Sequence, residues 1–340
     1  MPEAYRRSYF NKTFNEPYGR EPVDVSGHSE VDFLLGEAPW EKPPWPLELS
    51  GLQKNELIRS LRINLPCSIS LDLSHCDKLG SLTLTDCVSE TQIILGQEPM
   101  YLDLKRCELS GILQTQQLRS LEIESTNVSS PVNLPNSIER LHIDCSQIEF
   151  KSLPRKIESF RFTGRDKTIN APLIEILSRD NQIEIEGLCH IKKTRLSKSL
   201  KFQKPCDNLS ISDCQLDPEF RLQGRFRYGD LSSVEQNYFC GHIGEGLFFE
   251  ELGAGPWYTT EAVLELAQIC HSLHVGLDGD FPDLSNSKLK HLEISGWRNT
   301  DRKIPANFLP SSLETITPAV TKYNVKGQAL PSEFIERYCS

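Results

Sequence analysis

Apolar residues alternate with polar ones in short runs that recur along the chain. In the segment 118–128 the apolar or buried-type side chains stand at positions 1, 4, 6, 9 and 11, and the segments 79–87 and 138–148 repeat this spacing as far as they extend. Two apolar residues separated by one polar residue place one face of a β-strand against a core. The pattern therefore predicts a series of short strands, each with one buried face.

The spacing between these strands predicts that they stack as the coils of a solenoid. Leu102, Leu121, Leu141 and Phe160 follow one another at steps of 19, 20 and 19 residues, and steps of about half that length occur between 61 and 102. Two strands in each coil explain both spacings, although a meander of β-hairpins also gives the shorter one. We favour the solenoid because the Leu-Pro steps recur only at the long period. These steps begin at Leu65, Leu134, Leu153 and Leu309.

The run Leu-Pro-Asn-Ser-Ile-x-x-Leu-x-Ile at 134–143 resembles the leucine-rich-repeat superfamily. It is most similar to the short repeats of bacterial Leu-Pro-type effectors and to the FNIP repeats of amoebae and giant viruses. The resemblance covers residues 61–163 and, more weakly, the segments 200–216 and 289–317. It implies a mainly β, right-handed, leucine-rich-repeat-like solenoid with a few short helices, and it is nearly silent on activity.

Composition and pattern divide the chain into four segments. Residues 1–46 are rich in proline and aromatic residues, which predicts an extended arm or an N-terminal cap. Residues 47–216 form the predicted solenoid. Residues 217–271 match the repeat poorly and predict an irregular insertion with one helix, whereas residues 272–340 predict terminal repeats and a capping helix at 331–338.

Local signals place two short helices within these segments. Pro172 opens a predicted helix over 172–180, because proline is well tolerated in the first helical turn. Thr259 or Thr260 provides the N-cap of the helix within 217–271, and the apolar residues that follow have helical spacing.

Charge and composition narrow the classes of partner and compartment. The formal net charge is −10, with 25% charged and 38% hydrophobic residues, which argues against nucleic-acid binding because phosphate neutralisation needs a Lys/Arg surplus. No apolar run approaches the roughly 18 residues that span a bilayer, so we predict no membrane association. The N-terminus has no apolar signal segment, so we predict a cytoplasmic protein whose 11 cysteines are reduced thiols.

The cysteines and histidines provide a metal-site hypothesis and its alternative. Cys240, His242, Cys270 and His274 could supply the four ligands of a tetrahedral zinc site, but their spacing fits no strong zinc signature. Burial on an apolar helix face explains Cys270 without a metal. We therefore predict no metal and no cofactor, and keep as the alternative function a metal-binding or enzymatic protein with its site in residues 217–274.

The remaining candidate is a surface on the strands. Residues between and beside the buried leucines point outward, onto the face that such solenoids typically use for binding. We predict a non-catalytic protein-recognition or scaffold module that binds a protein partner through this face, with the N-terminal arm as a further candidate contact within a larger assembly. The predicted partner-binding residues are Asp72, Asp103, Glu122, Glu124, His142, Asp144 and Arg161.

Cysteine recurs three residues after the last strand leucine, where a leucine-rich repeat usually has asparagine. A small buried thiol can occupy that inward position. We predict a buried, unreactive ladder rather than a set of redox-sensitive thiols, because burial raises the pKa of a thiol. The ladder positions are Cys76, Cys87, Cys107 and Cys214.

Overall fold

The computed structural model confirms a mainly β protein, with 51% of residues in strands and 9% in helices, built as a parallel β-solenoid of about 13 turns with two short helices. The chain forms two compact units, Met1–Arg161 and Phe162–Ser340. The structure describes residues 9–14, 22–35, 45–96, 100–113, 118–179, 183–233, 239–255, 258–297, 304–318 and 323–324.

The first unit contains two larger sheets of parallel strands and a two-stranded parallel pair, β2 with β5. A large sheet has the strand order β1-β3-β6-β8-β10-β12-β14, and a second sheet has the order β13-β11-β9-β7-β4. A short 3-10 helix covers Leu52–Lys54. The strands are β1 (Tyr9–Phe14), β2 (Val23–Asp24), β3 (Glu30–Leu35), β4 (Trp45–Leu47), β5 (Leu49–Ser50), β6 (Ser60–Asn64), β7 (Cys67–Ile69), β8 (Ser81–Thr85), β9 (Val88–Ile94), β10 (Met100–Lys105), β11 (Glu108–Leu113), β12 (Leu118–Glu124), β13 (Asn127–Val128) and β14 (Ser137–Asp144). Strand β15 (Lys156–Thr163) contains the boundary between the units.

The second unit also has one large, mainly parallel sheet, with the order β16-β19-β22-β23-β24-β25-β26-β27. Among its described strands, only the last pair, β26 with β27, is antiparallel. Short 3-10 helices cover Cys240–His242 and Ala306–Phe308. Its elements are α1 (Pro172–Arg179), β16 (Glu184–Lys192), β17 (Arg195–Leu196), β18 (Leu200–Lys201), β19 (Cys206–Ser212), β20 (Gln215–Leu216), β21 (Leu222–Gln223), β22 (Arg225–Ser233), β23 (Phe248–Gly253), α2 (Thr260–Gln268), β24 (Cys270–Leu277), β25 (His291–Trp297), β26 (Thr315–Pro318) and β27 (Tyr323–Asn324).

The alternating leucines form the core of the first unit, as the pattern predicts. Residues two apart on a strand share a face, and in-register pairing then stacks equivalent residues of successive coils. Two inward rows result, and each member is at most 2% exposed. The rows are Leu61, Leu82, Leu102, Leu121 and Leu141, and Ile63, Leu84, Leu104, Ile123 and Ile143.

A repeated corner follows the strands of the large sheet. A residue other than glycine takes a left-handed backbone there, with φ between 47° and 60°, at Asp86, Arg106, Ser125, Cys145, Lys193 and Asp213. At five of these corners the side chain of the next residue donates to the carbonyl two positions back, as Thr126 Oγ1 does to Glu124 O at 2.9 Å and Cys107 Sγ to Lys105 O at 3.2 Å. At the sixth, after Lys193, Thr194 Oγ1 donates to Ile169 O instead. These bonds offset part of the cost of the left-handed residue and satisfy buried carbonyls.

The predicted cysteine ladder is buried, but one member lies elsewhere. Cys87, Cys107 and Cys214 occupy the corner position, and burial raises the pKa of Cys214 to about 11. Cys76 does not lie at this corner, because it follows Leu73 near the second sheet. Its Sγ donates to Leu52 O at 3.6 Å. The spacing misplaces Cys76 because the two strands of a coil carry similar short motifs.

The structure differs from two of the segments that the sequence predicted. Within 1–46, β1 and β3 pair in register with each other and β3 pairs with β6, so the parallel ladder begins before Leu47. Within 217–271, β22 and β23 continue the ladder rather than forming an insertion. The predicted helices at 172–180 and after Thr259 are confirmed, with Thr259 Oγ1 accepting from Ala262 N. The predicted helix at 331–338 lies outside the described residues.

Candidate functional site

The outward side of the large sheet in the first unit brings several predicted site residues together. Strand pairing places Asp103 beside Glu122, and Glu122 beside His142, in one row of neighbouring strands. Neighbouring strands lie about 4.8 Å apart, so the three side chains are adjacent. The row continues on the other side of Asp103 through Thr83.

A second outward row runs next to it. Lys105, Glu124 and Asp144 are register partners on the same three strands, and the two carboxylates are exposed. Like charges on neighbouring strands oppose folding slightly. We refer to these two rows on β10, β12 and β14, together with Arg140, as the polar face; its members are Asp103, Lys105, Glu122, Glu124, Arg140, His142 and Asp144.

The pKa of Asp103 is raised, chiefly because its carboxyl group is partly buried. Lys105 opposes that shift, with its Nζ 3.4 Å from Asp103 Oδ2, while Glu122 and Glu124 add to it. The other oxygen, Oδ1, is buried and has no hydrogen-bond partner among the described residues. Asp103 is therefore the carboxylate of the polar face whose ionisation the fold opposes.

His142 connects the polar face to β15. Its Nε2 lies 2.9 Å from Ser159 Oγ, and its Nδ1 lies 3.7 Å from Glu122 Oε1. Burial lowers the pKa of His142; Glu122 opposes this shift, and Arg161 and Arg140 add smaller lowering effects. The imidazole is consequently uncharged at neutral pH, which leaves the carboxylates as the charged groups at this point of the row.

Two of the predicted partner-binding residues lie at the margin of this arrangement or outside it. Arg161 is exposed on β15 and is near enough for its charge to act on His142. Asp72, in contrast, bridges Ile94 of the second sheet, and its carboxylate accepts hydrogen bonds from Ser74 that lower its pKa. Asp72 therefore does not lie on a strand of the large sheet, because Leu71 and Leu73 flank a bridge to the second sheet.

Sequence reasoning overlooked Arg140 and Tyr101, which belong to a third outward row. Both are exposed, and register pairing connects them through Ser120. Arg140 Nη1 lies 3.9 Å from Glu122 Oε1, which partly neutralises that carboxylate. Their positions in the sequence could have identified them, because each stands two residues before an outward residue that the pattern did identify.

The two cysteines of the metal hypothesis each have a local partner. Cys240 Sγ donates to Ala262 O at 3.6 Å, and burial raises the pKa of Cys240 to about 12. Cys270 is buried and its Sγ donates to Leu266 O at 3.2 Å. Each thiol therefore already donates to a backbone carbonyl.

The two histidines of the metal hypothesis also have different surroundings and different neighbours. His242 is 4% exposed, with Nδ1 2.9 Å from Phe220 O, whereas His274 is exposed with Nε2 3.7 Å from Glu293 Oε1. Among the residues that the structure describes, no three His, Cys, Asp or Glu side chains form a group that could hold a metal.

The polar face is the best-supported candidate site among the described residues.

Across the described ranges, none of the helices is long and apolar enough to cross a bilayer. Comparison with known protein families, characterised proteins and solved structures finds no significant similarity to this chain.

Proposed function

We propose that this protein is a non-catalytic recognition or scaffold module whose polar face binds a protein partner. The observation that carries the proposal is the register pairing of β10, β12 and β14, which fixes the backbone positions of the charged side chains. A surface ordered before binding loses less conformational entropy when the partner arrives. Such a strand face suits recognition better than chemistry, which needs a reactive group in a shielded site.

The charges of the polar face define the partner's chemistry. Glu124 and Asp144 are exposed neighbours of equal charge, so a cationic side chain placed between them removes a repulsion as well as forming an attraction. Lys105 and Arg140 provide opposite charges on two sides of the carboxylates. We infer a partner segment with Lys or Arg at its centre and an acidic residue toward its edge.

The proposal includes a leucine-rich-repeat-like identity for the coils, of the short Leu-Pro type. The corner residues support it, because Thr126 and Cys107 bond to buried backbone at the position where Asn does so in that repeat. Such repeats typically bind through their exposed strand face, which is where the polar face lies.

The test is a charge reversal with a matched control. The variant Glu122→Lys, Glu124→Lys and Asp144→Lys reverses the polar face, and the control Glu90→Lys, Glu108→Lys and Glu149→Lys reverses three exposed carboxylates elsewhere in the first unit. Both variants change the net charge equally. We expect a partner captured by the intact protein, then purified, to lose at least about tenfold in affinity for the first variant only.

Circular dichroism and thermal melting verify that both variants are folded. Equal loss of the purified partner by both variants would show that net charge, and not the polar face, attracts it. Unchanged affinity for the face variant would reject the proposal.

A further inference from the structure

The second unit carries a basic surface that the polar face does not explain. The sequence between 192 and 204 contains six Lys or Arg residues and no Asp or Glu, in a protein of net charge −10. Two of the six are tied to carboxylates, with Arg195 Nε 2.7 Å from Asp217 Oδ1 and Lys204 Nζ 2.6 Å from Glu184 Oε2. The other four lysines are exposed: Lys192, Lys193, Lys198 and Lys201.

Two of these lysines lie beside a second basic segment. Gly164 N donates to Lys192 O at 2.8 Å, and Asn170 pairs with Arg195, so residues 164–170 and 192–195 run side by side. We name the exposed cations of these two segments the basic corner; they are Arg165, Lys167, Lys192 and Lys193.

Two carboxylates moderate the basic corner without cancelling it. Asp166 accepts hydrogen bonds from Thr168, which lower its pKa, and the charges of Lys193 and Lys167 lower it further. Lys167 Nζ also lies 4.0 Å from Asp213 Oδ1. Four cations against two carboxylates leave the corner positive.

An exposed isoleucine lies within this positive surface. Ile169 has 60% of its surface exposed, more than any other large apolar residue among those described. Its backbone is nevertheless fixed: its N–H donates to Asp166 O at 3.2 Å, and its carbonyl accepts from Thr194 Oγ1 and Arg195 N, each at 3.0 Å. The fold therefore holds an apolar side chain in solvent on an ordered turn beside the lysines.

The backbone of the corner argues against a phosphate ligand. Phosphate sites commonly use backbone N–H groups that point at the ligand. Here the N–H of Gly164 donates to Lys192 O, and the N–H of Lys193 donates to Ser212 O at 3.1 Å. The lysine side chains are therefore the hydrogen-bond donors that a ligand can reach. An apolar side chain among lysines suits a peptide better than a nucleic acid, and the overall negative charge of the protein also repels nucleic acid.

We propose that the basic corner and Ile169 form a second docking surface, which binds an acidic protein segment carrying an apolar side chain between its carboxylates. The lysines attract the segment electrostatically, and Ile169 excludes water from its apolar residue. Charge complementarity controls the association rate, whereas the apolar contact controls the lifetime of the complex.

The experiment measures the binding of the full chain to a fluorescent peptide of alternating Glu and Leu by anisotropy. The charge variant is Lys192→Gln with Lys193→Asn, because asparagine tolerates the left-handed backbone at 193. The anchor variant is Ile169→Thr. Matched controls are Lys288→Gln with Lys290→Asn, and Leu264→Gln, which alter exposed lysines and an exposed leucine of the same unit.

We expect each test variant to lose about tenfold in affinity and each control to remain within about twofold. Added salt should weaken binding by the anchor variant and should affect the charge variant much less. Absence of peptide binding by the intact protein would overturn the proposal. Equal binding of an all-Glu peptide or of single-stranded DNA, with no effect of Ile169→Thr, would also overturn it, because the surface would then be a general polyanion site.

Discussion

The two units share a parallel ladder but fill its interior in different ways. In the first unit, the inward rows are leucine and isoleucine at successive rungs from Leu61 to Ile143. In the second, Phe226 and Phe249 stack with ring centroids 5.1 Å apart, and Gly229 occupies the neighbouring inward position. Interiors are close-packed, so a large ring on one rung requires a small residue on another. The difference indicates that a large ring on one rung of the ladder is accommodated by a small residue beside it, as Gly229 lies beside the Phe249 ring.

The sides away from the large sheets differ as well. The first unit has a five-stranded second sheet besides the pair β2 with β5, whereas the second unit has only two-stranded pairs among its described residues, β17 with β20 and β18 with β21, and the helices α1 and α2. The large sheet continues regardless, which indicates that its register does not depend on a strand partner on the other side of the coil. The polar face lies on backbone that this register holds in place, as does Lys192 of the basic corner, whereas Arg165 and Lys167 follow the end of β15.

The largest expected effect comes from removing an aromatic ring of the second unit. Phe249→Ala deletes a buried side chain that stacks on Phe226, and we expect the free energy of unfolding to fall by about 3–5 kcal/mol. Leu102→Ala, at an inward rung of the first unit, should lower it by about 2–4 kcal/mol because a smaller cavity forms. Urea denaturation measures both, and a larger loss for Leu102→Ala would contradict the expected order of the two effects.

The next effect tests the exchange of volume directly. A Cβ on Gly229 would lie 2.4 Å from the Phe249 ring, so we expect Gly229→Ala to lower the free energy of unfolding by about 1–3 kcal/mol. In a Phe249→Leu background the same substitution should cost clearly less, since the clashing ring is absent. A double-mutant cycle measures this coupling, and additive effects would show that the two rungs do not share volume.

This exchange also explains which parts of the fold the sequence could predict. The strands of the first unit were predictable because Leu82, Leu102 and Leu121 repeat one residue type at one position. In β22 the inward position that carries leucine in the first unit is occupied by Gly229, and phenylalanines lie beside it. A search for repeated leucines therefore does not detect this strand. Strands β1 and β3 were hidden in the same way by the aromatic and proline residues near them.

The candidate site was predictable only as far as its strands. Asp103, Glu122 and His142 were identified because each stands between two inward residues of a recognised strand. Asp72 satisfies the same rule and yet lies by the second sheet, because alternation reveals that a residue points outward without revealing from which sheet. The basic corner needed Ile169 and its backbone partners, which no local pattern indicates.

A smaller effect is expected at the left-handed corner motif, which occurs in each unit. Thr126→Val removes the Oγ1 that accepts from Cys107 N at 3.1 Å, so a buried N–H loses its partner and stability should fall by about 1–2 kcal/mol. Cys214→Ala in the second unit should cost less, because a thiol is a weak donor to the carbonyls of Ile191 and Ser212. Thermal unfolding measures both changes. Retention of full stability by Thr126→Val would mean that the left-handed corner needs no side-chain support.

The smallest expected effect concerns the pH dependence of the first unit. Partial burial raises the pKa of Asp103 in the folded state, so the folded protein holds this proton more tightly than the unfolded chain does. Stability should therefore fall as pH rises from the ordinary value of 3.8 through the raised folded value, because the unfolded chain releases the proton first. Asp103→Asn should remove this slope and increase stability at neutral pH by less than about 1 kcal/mol, since the group is partly solvated.

Urea titrations between about pH 3 and pH 7 measure that slope, and carboxyl NMR shifts follow Asp103 itself. The exposed carboxylate Glu90, on a strand of the second sheet, gives the control Glu90→Gln, which should leave the slope in place. The Asp103→Asn variant also separates stability from recognition. If it gains stability and loses the partner, the fold tolerates the cost of ionising Asp103 because the partner uses its charge, which is the relation expected of a binding surface and absent from the buried rungs of either unit.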